Sequence, residues 1–267
     1  MNRCRGIGAH VALAVVAVLF YTVAFAPLAQ QWDNFDGRLG ALAPANLKQS
    51  RPTAPFDLTG TWYINSEFRF LPSPKLKPEA QRLNDLAAQA AQQGKAFNNA
   101  TGKCWPPGMP IVMTRVWPIH MIQLPTSIVM ISNFEDQVRW IFMDGRPHTD
   151  PDIYAPSYNG ESIGHWEGDT LVVDTKNFET KNHFVDNVPV SEQFRIVERI
   201  RMINDGEGLE IVYTMTDPEN WDGEWVSTKR YKREHKVDFL EVHCLPDLND
   251  GILATSDRYS TLSEPAK

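Results

Sequence analysis

Basic residues are in short supply in this chain. Its 267 residues include 26 Lys and Arg against 33 Asp and Glu, for a formal net charge of −7. Phosphate binding needs cations clustered on one face; no basic stripe occurs, so a nucleic-acid partner is excluded. Phosphate-cradling glycine loops and dinucleotide fingerprints are missing too. No Gly-x-Ser-x-Gly elbow occurs and no Ser has an obvious neighbouring base, which leaves serine catalysis without support. Cysteine is scarce, at three, and neither its spacing nor the His243 beside Cys244 makes a zinc pattern. Neither metal nor any other cofactor is expected. Internal repeats and low-complexity tracts are also lacking.

What the chain does have is 8 Trp and 19 Pro, a composition that suits a turn-rich, aromatic-rich β protein better than a helical bundle. Its length is enough for a continuous apolar core.

The N-terminus is a separate matter. Arg3 and Arg5 precede "HVALAVVAVLFYTVAFAPLA", residues 10–29, an uncharged apolar run of roughly the ~20 residues that cross a bilayer as a helix. Two readings stand side by side. A secretory signal has a shorter apolar segment of ~7–15 residues and a small-x-small cleavage site. Here that site, Ala24-Phe25-Ala26, is followed by Pro27, which disfavours cleavage, so the run also reads as a retained anchor. Either way the preceding positive charge sends the remainder across the membrane. The expected location is periplasmic or extracytoplasmic, tethered to the inner membrane if the anchor is kept. In such a compartment Cys104 and Cys244 are either a disulfide, stabilising by ~4–5 kcal/mol through closure of a long loop, or two buried free thiols.

Residues 31–56, punctuated by Pro44, Pro52 and Pro55, read as a linker, and 57–267 as one domain. It opens with "FDLTGTWYINSEFRF", where Gly60 and Trp62 resemble the Gly-x-Trp start of lipocalin-like barrels, whose tryptophan closes one end. One helix interrupts the β pattern in "LKPEAQRLNDLAAQAAQQGKAF": Pro78 suits the first turn, Glu79 the positive end, and Gly94 a stop. Leu83, Leu86, Ala87 and Ala90 form its narrow apolar stripe, which is expected to pack on the barrel or across its mouth. "CWPPGMP" forbids regular structure. Beyond residue 111, "IHMIQLPTSIVMIS", "QVRWIFMD", "ESIGHW", "DTLVVDT", "QFRIVERIRMI", "LEIVYTMT", "WVSTKRYKRE" and "FLEVHC" are of strand length. With the opening strand they predict a mainly β fold, an antiparallel lipocalin-like barrel with one accessory helix, because closure removes exposed edges.

The stretch "FMDGRPHTDPD…YNGESIGHWEGDTLVVDTKNF…VERIRM…VYTMTDPENW", with "CWPPGMP" upstream and "EVHC" downstream, resembles a family of uncharacterised secreted bacterial β-rich proteins. The resemblance covers most of the domain and is most specific in "DGRPH" and "SIGHWEGDTLVVDT". It implies export and a β-rich fold, and brings no activity. Two departures matter: family members often carry His where this chain has Glu161, and a "HSxxLH" element where it reads "VSEQFR" from Val190 to Arg195. If those histidines bind metal in relatives, this chain has lost ligands.

Alternation in "FRIVERIRMI" sets Glu198 among Phe194, Ile196, Ile200 and Met202, opposite Arg195, Val197, Arg199 and Arg201. A carboxylate inside a barrel is held towards its neutral form unless paired, which suits acid–base work; the structural alternative is a Glu held by an Arg or by Tyr and Trp donors. In "SIGHWEG", Ile163 and His165 share one face and Gly164 and Trp166 the other, so His165 is either an interior acid–base group or a hairpin-end imidazole. The "EGD" at 167–169 is better read as the turn. In "DGRPH", Asp144 and Gly145 end a strand and Pro147 stiffens a loop presenting Arg146 and His148 from a rim. His148 is poised for proton transfer near neutrality, and Arg146 for an anionic oxygen; alternatively Asp144 and Arg146 pair while His148 is solvated. His120 reads as a satisfied core residue, and His183 and His235 as loop positions without a visible partner.

Two functions fit these residues. The first is a binding module holding a hydrophobic or aromatic small molecule inside the barrel, with Arg146, Trp62, Tyr158 and Trp166 as contacts. The alternative is a cofactor-independent lyase, isomerase or dehydratase using His148, His165, Glu198 and Asp144 for proton transfer.

Overall fold

The computed structural model describes residues 37–53, 55–92, 104–242 and 244. The N-terminal apolar run and Gly94 lie outside these residues. The chain divides into two units, residues 1–40 and 41–267, and every described helix and strand belongs to the second. Among the described residues no helix is long and apolar enough to cross a membrane.

Two α-helices among the described residues, α1 (Pro44–Leu47) and α2 (Pro78–Gln92), accompany thirteen strands. These are β1 (Gly60–Ile64), β2 (Lys75–Leu76), β3 (Ile119–Gln123), β4 (Ser127–Ser132), β5 (Gln137–Phe142), β6 (Glu161–Glu167), β7 (Thr170–Lys176), β8 (Phe184–Val185), β9 (Val188–Pro189), β10 (Arg195–Ile203), β11 (Gly208–Thr216), β12 (Trp221–Asp222) and β13 (Trp225–Glu234). Nine form a closed barrel in the order β1-β13-β11-β10-β7-β6-β5-β4-β3, and β3 returns to β1. The short pairs β2/β12 and β8/β9 lie outside it.

A mainly β barrel therefore stands, with differences from the expected pattern. "IHMIQLPTSIVMIS" is a hairpin rather than one strand: β3 and β4 turn about Pro125, with Leu124 N donating to Ser127 O at 2.8 Å. The described residues of "FLEVHC" form no strand. The barrel is not wholly antiparallel, because β5 and β6 run parallel. A parallel pair needs a long crossover, and the connection 143–160 supplies it. That seam is thin: only Ile141↔Ser162 and Phe142↔Ile163 are in register, against six pairs between β4 and β5 and seven between β6 and β7.

Alternation decides what fills the interior. Ile196, Glu198 and Ile200 of β10 are fully buried, as are Leu209, Ile211, Tyr213 and Met215 of β11. A water-filled hollow would leave accessible surface on such walls, and they have none. Two irregular segments add to the filling. The chain between β1 and β2 inserts Phe70, whose carbonyl accepts from Trp225 Nε1 at 2.9 Å, while Lys229 Nζ donates to Glu67 O at 2.8 Å and also to Arg69 O. From the proline-rich segment come Met109 and Met113, the latter's carbonyl accepting from Tyr231 Oη at 3.1 Å. Beside Met109 and Met113 lies a void of about 10 Å³, room for a single water. Between these walls, among the described residues, the space expected to be an enclosed greasy hollow is occupied by side chains.

Helix α2 packs against β9 and buries Ala80, Ala87 and Ala90. Cys104 and Cys244 form a disulfide.

Candidate functional site

The thin seam between β5 and β6 is where polar groups gather. Beyond the two paired residues the strands part, and the crossover supplies partners in place of the missing ladder: Asn159 Nδ2 donates to Val138 O at 3.1 Å. From inside, Arg139 of β5 reaches across the next strands. Its Nε donates to Ser162 Oγ (2.9 Å) on β6, Nη2 to Thr175 Oγ1 (2.9 Å) on β7, and Nη1 to Glu198 Oε1 (3.1 Å) on β10, with a second, shorter bond from Nη2 to Glu198 Oε2. Glu198 points inward, as alternation predicts, and it is held by an Arg.

At the mouth of the seam Glu161, 4% exposed, accepts from Thr149 N (2.9 Å), Thr149 Oγ1 (2.6 Å) and Asn177 Nδ2 (3.2 Å). His148 Nδ1 lies 3.1 Å from Glu161 Oε2, and Nε2 lies 3.3 Å from Asp174 Oδ2, close enough for charge attraction though poorly aligned for a hydrogen bond. Asp174 is also gripped by Arg195, at 2.7 and 3.0 Å. Burial works against charge on all three groups and is overcome in each. Contacts to Asp174 and Glu161 lift His148 above 6.5. His148 and Thr149 hold Glu161 below 4.5, and His148 with Arg195 holds Asp174 well below the carboxylate range. The result is a histidine held between two carboxylates that favour its protonated form.

Outside this cluster, between β5 and the crossover, runs an open groove of about 360 Å³. Trp140, Phe142, Tyr154 and Tyr158 give it aromatic walls, and Pro106 and Glu161 are also among its lining residues.

The other expected site residues scatter. His165 is 63% exposed and pairs with Glu167, at 3.2 Å, because its face of β6 looks outward; it does not converge with Glu198. Trp62 is fully buried, its Nε1 donating to Leu58 O at 3.1 Å with Arg233 4.1 Å above the ring, so it offers a ligand no surface. Trp166 is half-buried edge-on against Phe56. Asp144 and Arg146 pair with each other at 2.7 Å, and the guanidinium stacks 3.7 Å over Phe142, which ties Arg146 to the groove wall instead of presenting it to a ligand. Tyr158 stands on the groove, its hydroxyl donating to Lys181 O at 2.9 Å.

Histidines outside the site divide. His120 is the satisfied core residue expected, at 3.0 Å from both Thr61 Oγ1 and Asn133 Oδ1. His183 is the loop position expected, between β7 and β8, but it has partners: it is fully buried, with its ring nitrogens 2.9 Å from Glu179 O and 2.8 Å from Met109 O. Arg139, Trp140, Tyr154 and Asp174 were missed by sequence reasoning. Arg139 alternates with Ile141 on the inward face, which was the available signal. Among the described residues no group of three or more His, Cys, Asp and Glu side chains is placed to hold a metal ion. No family model matches the chain, and no curated protein is similar to it.

Proposed function

We propose that this protein is an exported binding module for a hydrophobic or aromatic small molecule, and that its ligand lies in the groove over the β5/β6 seam rather than inside the barrel. The observation that carries the reading is the concentration of four aromatic side chains around one open groove of about 360 Å³, the scale of a small-molecule site with apolar walls and few polar groups. The Cys104–Cys244 disulfide suits an oxidising compartment. A lipocalin-like origin draws support from the buried Trp62 near the start of β1, while nine strands and a parallel seam depart from the eight-stranded up-and-down form.

Titration with the neutral fluorophore N-phenyl-1-naphthylamine tests the site. Saturable binding is expected, weakened by about tenfold, or about 1.4 kcal/mol, in Trp140→Ala and in Tyr154→Ala, both still cooperatively folded. No saturable binding, or unchanged affinity in both variants, removes the proposal.

A second reading is favoured by one contact. His148 touches the carboxylate of Glu161, one of the residues that line the groove, a pairing that general acid–base chemistry uses. On that reading the groove is the active site of a cofactor-independent lyase, isomerase or dehydratase, and His148→Ala abolishes turnover of a bound molecule while leaving its affinity intact.

A further inference from the structure

The seam groove has a polar corner that its aromatic walls do not explain. Gln137, Arg139 and Asn159 line the groove and also the void of about 10 Å³ beside Met109, so these three residues lie between the two spaces. Gln137 opens β5 on the inward face it shares with Arg139 and Ile141, and it is 9% exposed. Among the described residues neither its Nε2 nor its Oε1 has a hydrogen-bond partner. Exchanging the two atoms changes nothing, since both ends of the amide are open. Asn159 adds a further acceptor. Its Nδ2 donates to Val138 O at 3.1 Å, which fixes how the amide faces, and its Oδ1 is buried without a partner. Buried polar atoms are nearly always paired, because an unmade hydrogen bond forfeits their hydration.

Charge is not what this corner offers. All five N–H groups of Arg139 are engaged, one with Ser162, one with Thr175, two with Glu198 and one with Met130 Sδ at 3.7 Å. Glu161, the other charged residue lining the groove, is a carboxylate already held by His148 and Thr149, and it disfavours an anionic head beside it. An amide donor and two carbonyl acceptors remain. A primary carboxamide is their complement, because it carries one carbonyl oxygen and two N–H groups on a single planar head. The Gln137 amide atoms are covered at rest. Since they hold no partner, turning that amide towards the groove breaks no hydrogen bond.

We propose that Gln137 and Asn159 set the specificity of the seam groove, and that its ligand is an aromatic primary carboxamide. The carbonyl accepts from Gln137 Nε2, the two N–H groups donate to Gln137 Oε1 and Asn159 Oδ1, and the ring packs on Trp140 and Tyr154. The inference rests on the groove being the binding site and adds the head group of its ligand. The test is calorimetric titration of the full chain with 2-naphthamide and with 2-acetylnaphthalene, which keeps the ring and carbonyl but has no N–H. Naphthamide is expected to bind saturably and at least about tenfold tighter than the ketone, since a site built to bond an N–H rejects the analogue lacking it. That comparison uses the wild-type chain and depends on no variant folding. Gln137→Leu, which deletes only unpartnered polar atoms, brings naphthamide to the level of the ketone and leaves the ketone unchanged. Trp140→Ala weakens both by about tenfold. Equal affinity for amide and ketone, as a water serving Gln137 equally well would give, overturns the inference, and so does an amide preference that survives Gln137→Leu. With N-phenyl-1-naphthylamine still bound, either result leaves the groove standing as a site. Failure of both naphthamide and the fluorophore to bind removes the groove and the inference together, and naphthamide binding indifferent to Trp140→Ala places the amide elsewhere and overturns the inference alone.

Discussion

Arg139 and Glu198 form a two-pronged ion pair in the middle of the barrel, their side chains 3% and 0% exposed. The pair joins β5 to β10 across two intervening strands, and Ser162 and Thr175 on those strands take further guanidinium bonds. Because β5 and β6 share only two residues of register, this network stitches the weakest point of closure. Glu198 is therefore a structural residue before it is anything else.

Removing one partner strands the other as a buried, unpaired charge, which costs about 3–5 kcal/mol. Glu198→Gln is expected to lower the urea unfolding free energy by that order. Replacing both, as Arg139→Met with Glu198→Leu, is expected to recover most of it, since apolar side chains of similar volume avoid the desolvation cost. Urea titrations of the two single variants and the double variant check this; additive losses in the double variant would sink it.

The His148 cluster makes a signed prediction about pH. Its folded pKa lies above 6.5, so its stabilisation is complete below 6.5 and disappears as pH rises through the higher folded value. Glu161 and Asp174 are lowered from 4.5 and 3.8, so their share is present above those values and lost as acid protonates them. His148→Gln should therefore be less stable than the wild type at about pH 5.5, with the gap shrinking by about pH 8.5. Unfolding midpoints at both pH values decide it, and a gap of constant size would mean that the His148 pKa does not change on folding.

Much of this architecture was legible because strand alternation is a strict period. Glu198 sits between Ile196 and Ile200 in the chain and in the core. Of the two readings of His165 on β6, the interior one failed at a specific point. The inward positions of β6 include Ser162 and Gly164, which carry no apolar signal, yet a Cβ on Gly164 would lie 2.9 Å from Ile141 Cγ2. The face that looks polar-neutral in sequence is the packed one, and His165 opposite it is turned to water. The groove was invisible for another reason: it is built by β5 and a crossover that returns parallel, and pairing direction is not written in any one strand. The only hint was the length of the 143–160 connection, too long for a hairpin.

Gly108 gives the last prediction. Its φ is +66°, and a Cβ there would lie 2.5 Å from the Tyr158 carbonyl oxygen and 2.8 Å from His183 Nε2. Neither neighbour can retreat easily. The Tyr158 carbonyl accepts from Met109 N at 3.0 Å, and His183 is fully buried between two carbonyls, with Phe178, Phe194 and Tyr158 around it. Gly108→Ala therefore combines left-handed strain with overpacking, each worth about 1–3 kcal/mol. Tyr158 and Pro106 both wall the seam groove, so the same substitution is expected to weaken N-phenyl-1-naphthylamine binding along with thermal stability. Gly145 also has positive φ, +74°, but a Cβ there meets nothing within 4 Å. Gly145→Ala thus isolates the conformational cost, and Gly108→Ala should exceed it in both readouts. Equal losses in the two variants would show that the packing around His183 yields and that the groove wall does not depend on it.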